Sequence, residues 1–309
     1  MLSEAEQAAI ETALLALCPN WPVTEIYVED YLSGGYRNRN YKIRYKDDRY
    51  VLRIAATQIT EQTVLSELAT VFPATQSGLT LDVPAIVASS TAEGLLLSRW
   101  CDAPLLAESH GVTAEKLGVY LAQLHGCLAR LPANVVSSGN LQSHIRSDLT
   151  AAEGSVKAAD RWLNTLPKPN HSNVTCHLDL NPWNLLVANN HWVTLDWETL
   201  ARADPLFDLV TLCDGYLREH NLYNDRINFS CMALEAYKGA YKGACKGACN
   251  NAPDYPQQAL DEARTWYQWR EYSWAAAQLA AGNNRAEIVL QRDFFATELR
   301  ARGFDVLPR

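Results

Sequence analysis

The stretch that most constrains this chain is Thr175-Cys176-His177-Leu178-Asp179-Leu180-Asn181-Pro182-Trp183-Asn184-Leu185-Leu186-Val187. It places a carboxylate, Asp179, five positions before a carboxamide, Asn184. A second run, Val193-Thr194-Leu195-Asp196-Trp197-Glu198, follows at once with further carboxylates. Phosphoryl transfer needs such a set: one carboxylate beside the attacking hydroxyl, and a carboxamide with a second carboxylate to hold magnesium.

Other chemistries fit less well. His177-x-Asp179 could open a metal-dependent hydrolase, but His171 and His177 are six apart and no H-E-x-x-H or H-x-H occurs. Acid and amide oxygens without a His/Cys cluster suit a hard cation such as Mg²⁺. The chain has no G-x-S-x-G elbow, no G-x-G-x-x-G turn and no G-x-x-x-x-G-K-[ST] loop. Those absences set aside the α/β-hydrolase, dinucleotide-binding and P-loop readings.

With 309 residues, the chain can build one large domain or two lobes. Its net charge of -8 argues against a nucleic-acid partner, which needs a basic surface, and favours a cationic small molecule. The 8 cysteines form no C-x-x-C pair. The start, Met1-Leu2-Ser3-Glu4-Ala5-Glu6, is acidic, and no apolar run is long enough to span a bilayer. These features read as a cytoplasmic protein with reduced thiols and no membrane partner.

In chain order, Ser3 and Glu6 form an S-x-x-E capping box ahead of an apolar stripe at Ile10, Leu14 and Leu17. Strand-like runs follow around Ile26–Leu32, Tyr41–Tyr45, Tyr50–Ile54, Val83–Val87 and Gly94–Ser98. Between the first two lie Ser33, Gly34, Gly35 and Asn38, where a glycine turn could bring backbone N–H groups to a phosphate or simply close a hairpin. Arg53 interrupts an apolar strand and could reach the nucleotide phosphates. Glu67, on a helix predicted from Glu61 to Phe72, is its expected ion-pair partner, with Glu61 the second choice.

From Thr113 the pattern is helical, with His125 beside an apolar stripe, where a hydrogen-bonded structural role is the simpler reading. A single helix is predicted over Ser147–Leu166. Asp208, in Asp204-Pro205-Leu206-Phe207-Asp208-Leu209, could cap or brace the loop that carries Asp179. Tyr237–Cys249 is a four-residue repeat, read as an insert in a helix or surface loop. Of the late tryptophans, Trp269 and Trp274 are candidates for a pocket wall, with core packing as the simpler reading.

The order of the pieces is more specific than any one of them. A glycine hairpin, a basic strand residue, an acidic helix, a crossing, D-x-x-x-x-N and a later Asp are the sequence of parts in a bilobal kinase. On Leu32–Tyr41, Tyr50–Ile54, Leu121–His125, His177–Asn184 and Leu195–Glu198, the chain resembles the aminoglycoside phosphotransferase and choline kinase superfamily, over about residues 30 to 210.

That resemblance implies an α+β, bilobal, protein-kinase-like fold. An N-terminal lobe (1–98) would carry an antiparallel sheet plus a helix, and the rest (99–309) would be mostly helical. It implies ATP as co-substrate, Mg²⁺ on Asn184 and Asp196, and Asp179 as the catalytic base, with His177 and Asp208 supporting its loop. Arg53, where many antibiotic kinases carry lysine, and Asp196-Trp197-Glu198 are similar to the choline kinase-like and thiamine kinase-like groups. Trp197 and Glu198, with Trp269 and Trp274, are then candidates for the alcohol pocket. Leu178 stands where choline kinases typically have Asn, closer to the thiamine kinase form. The expected acceptor is a small cationic alcohol: choline, ethanolamine or thiamine. The alternatives are an aminoglycoside kinase and a non-catalytic ligand-binding relative.

Overall fold

The computed structural model describes residues 3–32, 38–55, 61–71, 80–136, 140–168, 174–244, 255 and 257–306. In chain order its elements are α1 (Glu4–Leu17), β1 (Ile26–Leu32), β2 (Asn38–Tyr45), β3 (Asp48–Ala55), α2 (Glu61–Val71), β4 (Thr80–Asp82), β5 (Ile86–Ser90), β6 (Leu95–Arg99), α3 (Ala114–Leu128), α4 (Leu141–Glu153), α5 (Val156–Leu163), β7 (Val174–Cys176), β8 (Leu185–Ala188), β9 (His191–Thr194), β10 (Ala201–Ala203), α6 (Pro205–Glu219), α7 (Arg226–Ala244), α8 (Gln257–Ala280) and α9 (Ala286–Ala301). They group into two compact units: Met1–Ser109 with Trp183–Glu198, and His110–Pro182 with Thr199–Arg309. The hairpin after Asp179 therefore packs with the N-terminal elements, although the sequence division at residue 98 leaves it with the helical part.

In the first unit the alternating runs form an antiparallel sheet of order β1-β2-β3-β6-β5. Alternation puts Tyr41, Ile43, Tyr50, Leu52, Leu95 and Leu97 on one face. They bury against Ile10, Ala13 and Leu14 of α1. The capping box is present: Ser3 Oγ accepts from Glu6 N, and Ser3 N donates to Glu6 Oε2 at 2.9 Å. The β2–β3 register sets Asn40 opposite Arg53. A smaller sheet, β4-β9-β8, holds the β8–β9 hairpin, with β4 running parallel to β9. Its turn residue Asn189 takes φ 45°, the left-handed region that Asn tolerates. These three strands have only three or four residues each, too short to show a period.

The second unit is helical around one short strand pair, β7 with β10. The single helix expected over Ser147–Leu166 is two, α4 and α5. Gly154 ends α4 at φ 65°, and Ser155 restarts the chain by accepting from Ala158 N. The physical reason is local: Gly supplies the left-handed C-cap and Ser the next N-cap. Helix α7 carries the repeat as far as Ala244, with Tyr237 and Tyr241 buried and stacked at 5.2 Å. Cys245–Cys249 lie outside the described residues. Buried Arg264 of α8 donates from Nε to Asp214 Oδ2 of α6 at 2.6 Å and from Nη2 to Ser230 Oγ of α7 at 3.1 Å. Burial pushes the Asp214 carboxyl up, against the pull of Arg264. Among the described residues, no helix is long and apolar enough to cross a membrane.

Helices α3 and α7 touch at Gly118, where an added Cβ would collide with the Ala233 carbonyl oxygen. At Gly154 a Cβ would meet nothing within 4 Å, and only the positive φ opposes it. Gly118→Ala is expected to cost about 3 kcal/mol by forcing the helices apart. Gly154→Ala is expected to cost about 1 kcal/mol. Urea denaturation of the two variants measures this, and the reverse order would contradict the close approach of α3 and α7.

Candidate active site

Asp179 stands on a loop that begins where β7 ends. Strand β10 runs antiparallel to β7, with Ala201 opposite Cys176, so the end of β7 and the start of β10 lie side by side. Thr199 Oγ1 closes this end by donating to the His177 carbonyl at 2.7 Å. From β10 the chain passes through Asp204, whose Oδ1 accepts from Leu206 N at 2.9 Å and caps α6, with Pro205 in its first turn. One turn into α6 comes Asp208, fully buried.

Asp208 holds the loop by its backbone. Oδ2 accepts from His177 N at 2.7 Å and Oδ1 from Leu178 N at 3.0 Å. His125 Nε2 lies 3.1 Å from Oδ2, and His125 Nδ1 lies 3.1 Å from the Tyr237 hydroxyl. A Tyr–His–Asp–backbone chain results, joining α7, α3 and α6 to the loop. The tautomer with the proton on His125 Nε2 satisfies both partners: the imidazole donates to Asp208 and accepts from Tyr237. Cys176 completes a buried group with His125 and Asp208, whose ligand-type atoms lie within 4.8 Å of one another. Both Asp208 oxygens already accept hydrogen bonds, so this group serves as an anchor for the loop. Burial pushes the Cys176 thiol well up, which keeps it protonated.

The anchored segment is bent. Leu178 is buried with φ 64°, a conformation that costs a non-glycine residue about 1–2 kcal/mol. The bend presents Asp179, which is half-buried. Asp179 N donates to His177 Nδ1 at 3.3 Å, and Asn181 Nδ2 donates to Asp179 Oδ1 at 3.1 Å. His177 therefore shapes the turn, and Asn181 orients the carboxylate. Pro182 is buried against Gly215 of α6, where a Cβ would come within 2.8 Å of Pro182 Cδ.

In the other unit, the β8–β9 register brings Asn184 and Asp196 to the open end of the hairpin. Leu185 pairs with Thr194, and Leu195 N donates to the Asn184 carbonyl at 2.9 Å. Asp196 then turns away at φ 58°. Its Oδ1 is buried and accepts no hydrogen bond among the described residues; Arg53 Nη1 is 3.7 Å off, close enough to attract but too far to bond. A buried carboxylate oxygen left in this state costs free energy unless a cation meets it. Asn184 and Asp196 thus fit Mg²⁺, as hard oxygen donors with one atom still to be satisfied.

Arg53 spans this region. Its Nε donates to Asn40 Oδ1 at 3.2 Å, and its Nη1 lies 3.5 Å from Glu198 Oε1. Asn38 Nδ2 donates to the same Glu198 oxygen at 2.9 Å. No ion pair joins Arg53 to Glu67 among the described residues; its carboxylate partners there are Asp196 and Glu198. Ser33, Gly34 and Gly35 lie outside the described residues, as does the side chain of Glu61.

A model of a family described as a phosphotransferase enzyme family, APH, matches residues 31–256. The chain belongs to that family. No curated protein sequence matches it. Among solved structures, this phosphotransferase is similar to a choline/ethanolamine kinase family protein from Mesorhizobium loti, at 18% identity over 95% of this chain and 93% of that one, with TM-score 0.60. It is similar to the choline kinase LicA from Streptococcus pneumoniae, at 15% identity over 96% and 100%, with TM-score 0.65. It is also similar to the amicoumacin kinase hAmiN, in complex with AMP-PNP, Ca²⁺ and Ami, at 15% identity over 96% and 93%, with TM-score 0.61. At such identities the likeness establishes the fold, and the α+β, protein-kinase-like class expected from the sequence is borne out.

Four residues that the motifs did not single out touch the sequence-predicted ones: Asn181 bonds to Asp179, Thr199 to His177, Tyr237 to His125 and Asn40 to Arg53. Asn181 was visible as a polar residue inside the motif; the others depend on tertiary contacts. Two candidates for the alcohol pocket are core side chains. Trp197 is fully buried with Nε1 donating to the Thr194 carbonyl at 3.0 Å, and buried Trp269 packs edge-on against Tyr272 and Phe304. Trp274 is half-buried, and Glu198 bonds to Asn38 and pairs with Arg53.

Asp208→Asn replaces one acceptor oxygen with a donor facing an N–H or the imidazole. It is expected to cost about 1–3 kcal/mol in thermal unfolding. It is also expected to lower phosphotransfer roughly a hundredfold by letting the loop shift. Wild-type stability in this variant would contradict the anchoring role.

Proposed function

We propose that this phosphotransferase moves the γ-phosphoryl group of ATP to the hydroxyl of a small cationic alcohol, with choline, ethanolamine or thiamine as the candidate acceptors. The observation that carries the reading is the oriented Asp179 carboxylate on an anchored loop, five residues before an Asn184–Asp196 pair that has an unsatisfied oxygen. The complex of hAmiN with AMP-PNP and Ca²⁺ supports a nucleotide and a divalent cation. The likeness to a choline/ethanolamine kinase family protein and to a choline kinase, together with the net charge of -8, supports a cationic acceptor.

Asp179 accepts the hydroxyl proton as the new O–P bond forms and the bond to ADP breaks; Asn181 keeps its carboxylate aimed. Asn184 and Asp196 hold Mg²⁺, which neutralises charge on the phosphate oxygens when bound. Arg53 and Asn38, with Ser33, Gly34 and Gly35 before them in the chain, serve the phosphates. His177 and Asp208 act through the loop.

A second reading, antibiotic phosphorylation, rests on the likeness to the amicoumacin kinase, at TM-score 0.61. A panel of choline, ethanolamine, thiamine and aminoglycosides, read by ADP release, separates the two. Rapid turnover of an aminoglycoside alone would reverse the order. Asp179→Ala is expected to reduce turnover by at least about a thousandfold while leaving ATP affinity and folding intact. Calorimetry and thermal unfolding check the second part. Wild-type turnover in that variant would refute the mechanism, and ATP binding without turnover of any alcohol would favour a non-catalytic role.

A further inference from the structure

Glu198 has contacts that an alcohol-binding role does not explain. Its Oε1 accepts from Asn38 Nδ2, at the start of β2, and lies 3.5 Å from Arg53 Nη1 on β3. The same Nη1 is 3.7 Å from Asp196 Oδ1. Among the described residues one guanidinium therefore faces two carboxylates, and Asn40 accepts from its Nε. The three charged groups sum to a net negative charge at the residues assigned to the phosphates and the metal.

We propose that Asp196, Arg53 and Glu198 form a charge interlock, and that Glu198 is the residue that makes this phosphotransferase select metal-bound ATP over free ATP. The inference rests on the kinase reading above. A metal-free triphosphate is a polyanion. It meets two carboxylates, and the guanidinium that could receive it is already neutralised by them. A divalent cation on Asp196 and Asn184 reverses the sign of the local charge, and phosphate oxygens then compete with Glu198 for the guanidinium fork. Glu198 is tied to two strands of the sheet by Asn38 and Arg53, so its charge stays in place and penalises the metal-free nucleotide. An alcohol-pocket glutamate would have no such effect on nucleotide binding.

The test is calorimetric binding of ATP to the full chain, once with EDTA and once with Mg²⁺, for the wild type, Glu198→Gln and Glu198→Ala. Thermal unfolding confirms that each variant is folded, and two substitutions of different shape guard against the failure of either. The wild type is expected to bind ATP more tightly with Mg²⁺. In both variants the affinity for metal-free ATP is expected to rise about five- to tenfold, the screened effect of one partly exposed charge. Affinity for the Mg²⁺ complex, in which Glu198 also competes for Arg53, is expected to rise by less, so the preference for the metal-bound nucleotide narrows. A Mg²⁺-dependent wild type with variants whose metal-free affinity is unchanged or weaker overturns the interlock alone. A wild type that binds ATP in neither buffer overturns the kinase reading and the interlock with it.

Discussion

The loop that carries Asp179 depends on one buried carboxylate, Asp208, accepting the consecutive N–H groups of His177 and Leu178. A buried charge is costly, and four features offset that cost here: two backbone donors, the His125 imidazole, and the N-terminal turn of α6, where the helix dipole favours an anion. Charge-assisted hydrogen bonds contribute about 1.5–3 kcal/mol each. Two of them exceed the roughly 1–2 kcal/mol that left-handed backbone costs Leu178. The bend is therefore stable, and Asp179 is carried on a rigid support. The same logic explains the close approach of α3 and α7 at Gly118: it brings Tyr237 within reach of His125, and His125 within reach of Asp208.

The Asn184–Asp196 pair has a different origin. Antiparallel pairing of β8 with β9 makes Asn184 and Asp196 near-opposites at the hairpin's open end, although twelve positions separate them in sequence. The pairing needs a tight turn at the far end, and Asn189 supplies it with a positive φ. The left-handed backbone at Asp196 then aims its carboxylate out of the strand direction. Two features of backbone geometry thus set the spacing that the motif records.

Much of this was legible. Alternation marked β2 and β3, short apolar runs marked the other strands of the larger sheet, with β5 at Ile86–Ser90 rather than Val83–Val87, and the ordered motifs marked the family. What escaped did so for physical reasons. Strands of three or four residues show no period, and the Gly154-Ser155 break looked like one helix because both flanks are helical. Arg53 pairs with Asp196 and Glu198 because the hairpin packs with the sheet, a contact across more than 140 residues that no local pattern records. Trp197 belongs to the core because its ring is enclosed and its N–H is bonded within its own turn.

Leu178 lies at the bend itself. Its difference from the Asn of choline kinases pointed toward another acceptor. In the structure the residue is buried and left-handed, and Asn is simply better suited than Leu to that backbone. The most direct test of the loop's anchoring is amide hydrogen exchange at His177 and Leu178 in the unmodified chain. Protection comparable to that of the buried α6 amides is the predicted result, because both N–H groups bond to a carboxylate that no water reaches. Exchange as fast as that of an open surface loop would contradict it.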